Sequence, residues 1–141
     1  MKRFLSLSAA VFLGSVVAAS AGTVDKSVSK SPPAEPYKQV SELVALPDFI
    51  PGLGQLFVDP ATLPAGPFLA YGRKGKLVST VYMIPVEDLK PEKSFDNLKT
   101  AGGDVDHVDI YYNAGHPGVE VPHAHIVLWH VPVDGESRVA E

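Results

Sequence analysis

Proline spacing decides much of what this chain can fold into. Pro47, Pro51, Pro60, Pro64 and Pro67 stand so close together that no long helix fits among them, because each fixes φ and removes a backbone donor. That interval reads as loops around one short strand, Gln55 to Val58. Just before it, Val40, Leu43 and Val44 mark the apolar side of a short helical turn. Downstream, Phe68 to Tyr71 and Lys76 to Ile84 are β-rich runs about the basic turn Gly72-Arg73-Lys74-Gly75, the pattern of a hairpin. Pro85 ends the second run, and Val86 to Leu98 suits one or two short helical turns stopped by Ala101-Gly102-Gly103. A second strand pair, Val105 to Asn113 and His123 to Val131, flanks a loop from Ala114 to Pro122. The expected class is mainly β: a small β-barrel or compact sandwich with one or two short helices.

The 141 residues allow one ordinary domain. Lys2 and Arg3 precede an apolar stretch from Phe4 to Ala19 that ends in Ala19-Ser20-Ala21, so residues 1–21 read as an export signal whose removal leaves Gly22 first. Residues 22–39, with Ser31-Pro32-Pro33-Ala34-Glu35-Pro36 at their centre, read as a disordered tether. Residues 40–133 form the single β-rich domain, and residues 134–141 a flexible tail. The expected location is periplasmic or secreted, free of the membrane once the signal is removed.

The chain holds 12 basic and 16 acidic residues; without Lys2 and Arg3 the basic count is 10, a net charge of −6 with histidine neutral. The basic residues are scattered, so nucleic acid is not an expected partner. No cysteine is present, which excludes disulfides, thiolate catalysis, zinc knuckles and iron–sulfur clusters. Oxygen and nitrogen chemistry is what survives.

All five histidines, His107, His116, His123, His125 and His130, fall in one short stretch of the sequence. On a strand, alternate residues share a face, so His107, Asp109 and Tyr111 point together, as do His123, His125 and Trp129. If the two strands pair as an antiparallel hairpin centred on His116, His107 faces His125 and Asp109 faces His123. Opposed Cβ atoms stand about 4.5–5.5 Å apart, near enough for these side chains to share one ion. His107, Asp109, His123 and His125 are therefore the candidate metal ligands. Imidazole and carboxylate without sulfur suit zinc, iron, copper, nickel or manganese in the divalent state. Tyr111 and Glu120 are candidates to orient an imidazole or to act as acid and base.

A lone histidine is most simply a surface side chain or a satisfied core donor, and His130, placed among Ile126 and Leu128, reads as structural. His116 is open between a ligand carried on a lid and a solvated turn residue. Val108, Ile110, Ile126 and Leu128 make the more apolar face, an arrangement that turns the histidines outward or into a barrel mouth. Tyr111, Tyr112 and Trp129 read as packing residues. Gly52-Leu53-Gly54-Gln55-Leu56-Phe57 lacks the third glycine of a dinucleotide turn, and Asp104, Asp106 and Asp109 lack the spacing of a calcium loop.

Pro122-His123-Ala124-His125 with Trp129-His130, preceded by Val105-Asp106-His107-Val108-Asp109-Ile110-Tyr111-Tyr112, is similar to a family of small exported bacterial proteins that includes a ring-forming β-barrel protein from Thermus. The resemblance covers about Gln55 to Pro132 and implies a barrel-like domain able to assemble as a homo-oligomeric ring; it implies no activity. The His-x-His strand also resembles part of the cupin pattern, but the second cupin motif is absent. The expected function is an exported protein that binds a transition metal through its His/Asp cluster. A metal-dependent enzyme acting on a small organic substrate and a metal-free ring-forming module are the alternatives, and the sequence leaves open whether the site is catalytic.

Overall fold

The computed structural model describes residues 25–141. The expected export signal, residues 1–21, lies outside them. Six antiparallel strands form one sheet: β1 (Lys38–Gln39), β2 (Gln55–Val58), β3 (Phe68–Tyr71), β4 (Leu77–Pro85), β5 (His107–Asn113) and β6 (His123–Trp129). Their spatial order is β1-β2-β3-β4-β6-β5. The first four make a meander, and the last hairpin then inserts β6 beside β4 and leaves β5 at the edge. Among the described residues, helix is confined to one turn of α1 (Val40–Leu43) and to 3-10 turns at Pro60–Thr62, Val86–Asp88 and Val133–Val139; the Pro47–Pro67 interval holds no long helix, as its prolines require.

The sheet is mainly β as expected but open, which corrects the expectation of a β-barrel. Its edge strands, two-residue β1 and β5, do not pair with each other. One face, and the β2–β3 part of the other, are instead covered by irregular chain. On one face Leu56, Val58, Phe68, Ala70, Val81, Met83, Val127 and Trp129 form the main core, covered by Val40, Leu53, Val119 and Val139. On the other, Phe57, Leu69 and Tyr71 pack around Val28. Each such aliphatic side chain, fully buried, stabilises the fold by about 1.5–3 kcal/mol, so the layers build a core without closure.

Two segments read from sequence as loose are held against this sheet. Within 25–39, Val28 is buried and its carbonyl accepts the Tyr71 hydroxyl at 2.7 Å, while the Ser31 amide donates to the Gly75 carbonyl at 2.9 Å. A polar composition does not prevent docking here, because a buried tyrosine hydroxyl needs an acceptor and the strand edge offers backbone partners. Within 134–141, Val139 is buried and its carbonyl accepts the Gly52 amide. The face assignment is also corrected. Val108, Ile110 and Tyr112 are exposed, whereas His123 and His125 are 0% and 2% exposed. Val81 of β4 faces Val127 and Met83 faces His125, on the side of the sheet that Val40, Leu53, Val119 and Val139 cover, so the histidine face is the one turned inward. No helix of the described residues is long and apolar enough to cross a membrane.

Candidate metal centre

The β5–β6 hairpin forms as expected, but its pairing is displaced by four residues: His107 stands opposite Trp129 rather than His125, and Asp109 opposite Val127 rather than His123. The turn explains this. His116 and Val119 exchange two backbone hydrogen bonds of 3.0 Å around Pro117-Gly118, with Gly118 at φ +91°, so the chain reverses beyond His116 rather than at it. An even displacement keeps each side chain on its face but changes its neighbours. The four sequence candidates therefore divide between two clusters, His116 with His123 and His125, and His107 with Asp109 and Glu136.

In the first cluster, His123 and His125 project from β6 beneath His116, which the turn folds over them. The ring centroids lie 4.8 Å apart for His116 and His123, 5.7 Å for His116 and His125, and 4.9 Å for His123 and His125. Backbone carbonyls orient two of the rings. His123 Nδ1 lies 2.8 Å from the Val121 carbonyl and His116 Nδ1 lies 3.0 Å from the Pro117 carbonyl. A carbonyl only accepts, so both Nδ1 atoms carry the proton and both Nε2 atoms carry a lone pair. His123 Nε2 faces His125 Nε2 at 2.9 Å, and His125 Nδ1 faces the Tyr111 hydroxyl at 3.0 Å. Without a cation between them, His125 must hold its proton on Nε2 and accept from Tyr111 on Nδ1; two lone pairs would otherwise repel. Burial, with the positive charge that His123 and His116 can carry added to it, pushes the His125 imidazole down to about 4. His125 is thus a neutral nitrogen donor at physiological pH.

The second cluster has a different character. His107 Nδ1 lies 2.8 Å from Asp106 and its Nε2 lies 2.8 Å from Glu136, so each nitrogen has a carboxylate to donate to. The hydrogen bond to Asp106, with Glu136 adding to it, raises the His107 imidazole above its usual range. Asp109 accepts from the Trp129 indole at 2.8 Å, and the His107 ring stacks on Trp129 at 5.9 Å. These contacts tie the carboxy-terminal turn to β5 and engage both His107 nitrogens with carboxylates.

Among the other sequence candidates, Tyr111 sits opposite His125 and holds its Nδ1, whereas Glu120 is exposed and bonds to no histidine. His130 is held by the Thr80 hydroxyl at 2.9 Å and the Asp104 carbonyl at 3.1 Å, the structural role its place on the strand suggested. Sequence alternation alone could not find His116 as the third member of its cluster, since its position depends on the Pro117-Gly118 reversal.

Beside His116 and His125 opens a cavity of about 370 Å³. Leu43, Leu46, Ile50, Leu53 and Met83 line its body, and Tyr111, Asn113, His116 and His125 close one end. An open antiparallel sheet carrying a histidine triad, two of its members buried, beside an apolar cavity is thus the class of protein that the fold and site define. The profile described as "TTHB210-like: Hypothetical protein TTHB210" matches residues 72–112. The crystal structure of the hypothetical protein TTHB210 from Thermus thermophilus is 46% identical, with a TM-score of 0.59, over 67% of this chain and 93% of that one. The chain belongs to the TTHB210-like family. No curated protein matches it.

Proposed function

We propose that the protein binds a divalent transition metal, zinc above all, through the Nε2 atoms of His116, His123 and His125. The observation that carries this reading is the convergence of three histidines whose ligand nitrogens lie within 4.8 Å of one another, two of them buried. Neutral imidazoles whose Nδ1 protons are taken by carbonyls have the arrangement in which histidine usually ligates. Zinc–nitrogen bonds of about 2.0–2.1 Å in a tetrahedron set neighbouring nitrogens about 3.3 Å apart. The His123 and His125 nitrogens, now 2.9 Å apart, need to part by only a few tenths of an ångström. On binding, His125 moves its proton from Nε2 to Nδ1, and the Tyr111 hydroxyl rotates from donor to acceptor.

Zinc titration of protein carrying no added histidine tag tests this: one zinc per chain is expected, and no saturable uptake sinks the reading. Tyr111→Phe removes the acceptor that the metal-bound tautomer of His125 needs, and should weaken zinc by about 10–100-fold, the usual cost of losing such an orienting group. Unchanged affinity in that variant would contradict the tautomer exchange.

Three ligands next to an open cavity also favour a second reading, a metal-dependent enzyme, because catalytic zinc keeps a fourth position for water or substrate. We further propose that the protein is exported. Amino-terminal sequencing of the protein recovered from the periplasm of an expressing bacterium should begin at Gly22; recovery only from the cytoplasm with residues 1–21 intact would refute export.

A further inference from the structure

We infer that the site takes a small amphiphile, a saturated aliphatic chain lying in the cavity with a carboxylate head on the fourth position of the metal. This rests on the metal-binding reading above. The cavity is at the small end of ligand sites, which span about 300–1,000 Å³. No Asp, Glu, Lys or Arg lines its 370 Å³. Its body is aliphatic, with Leu43, Val44, Leu46, Ile50 and Met83 contributing, and its polar groups gather at the end where His125 and Tyr111 meet. One polar tip on an apolar body is the complement of such a space.

The nature of the tip follows from charge. Three neutral imidazoles leave both positive charges of a divalent ion uncompensated, in surroundings where low dielectric strengthens its pull on an anion. A carboxylate oxygen is an ordinary zinc ligand. Asn113, at the same end of the cavity, can donate through its side-chain amide to the second oxygen. A phosphate would bring more charge and more acceptors than these few donors answer.

The test loads the whole protein with cobalt(II), whose visible bands report its ligands, and titrates acetate, butanoate, hexanoate and octanoate. The bands should shift with each acid, and affinity should rise about fourfold per methylene, the factor corresponding to about 0.8 kcal/mol for each one buried. Leu43→Asn, at a cavity wall that is 41% exposed, should flatten that dependence. Octanoate binding no more tightly than acetate would overturn the aliphatic body, with cobalt bands still upholding the metal site. Equal affinity with and without metal would overturn the placement of the carboxylate. Absence of histidine-bound cobalt bands would overturn both this inference and the metal reading beneath it.

Discussion

His123→Ala, His125→Ala and His116→Ala should each weaken zinc binding by more than about 100-fold, whereas His107→Ala and Asp109→Ala should leave it within about threefold of the parent protein. The first bound follows because loss of a group that merely orients a ligand already costs about 10–100-fold, and loss of the ligand itself costs more. The second follows from the hairpin register, which holds His107 opposite Trp129 and away from the triad. Competition titration with a chromophoric chelator measures all five variants on one scale. Equal losses at His107 and His123 would mean that the strands pair in solution as a turn centred on His116 predicts, and the three-histidine site would be wrong. His107→Ala has its own expected phenotype: loss of the Glu136 and Asp106 contacts frees the carboxy-terminal turn, which protease sensitivity near residue 136 would report.

That contrast also marks how far the sequence could be read. Strands β2 and β3 fall at Gln55–Val58 and Phe68–Tyr71, as their turn residues and β-rich runs indicate, because glycine and proline act locally. Strand parity is equally local, and the shared face of His123 and His125 needs only alternation. Register is not local. It depended on whether His116 or the Pro117-Gly118 pair sits at the reversal, and that choice moved Asp109 from His123 to Val127. Which face turns inward was less legible still. Val108, Ile110, Ile126 and Leu128 look like the better core on β5 and β6 alone. The balance is tipped by Val40, Leu53 and Val139, which cover the face that Val127 and Trp129 share with the histidines, side chains that the hairpin's own sequence does not reveal. Sheet closure is hidden from the sequence for a similar reason. The covering role of Val28 and Val139 comes from single apolar residues in polar segments, which a compositional average hides.

Gly54→Ala should destabilise the fold by about 3 kcal/mol, combining about 1–2 kcal/mol for a side chain at positive φ with about 1–3 kcal/mol for overpacking. Gly54 has φ +100°, and a Cβ there would collide with the Tyr71 carbonyl oxygen and lie 2.9 Å from Val139 Cγ1. Neither neighbour yields easily: Tyr71 is paired in β3, and Val139 is fixed by the Gly52 amide. For a domain of this size the loss should lower Tm by roughly 10 °C or more, which thermal denaturation followed by circular dichroism measures; a shift below about 3 °C would show that the turn absorbs the methyl group. The same variant separates the two halves of the site. Ile50 and Gly54 exchange backbone hydrogen bonds of 2.7 and 2.9 Å, and this turn carries Ile50 and Leu53 into the cavity wall. The histidines, in contrast, hang on β6 and the Pro117-Gly118 reversal. At temperatures where the variant stays folded, zinc affinity should therefore match that of the parent while the gain in affinity per methylene of an aliphatic acid falls. A matching loss of zinc would mean that the wall and the ligands move as one unit, and that the cavity is part of what holds the metal.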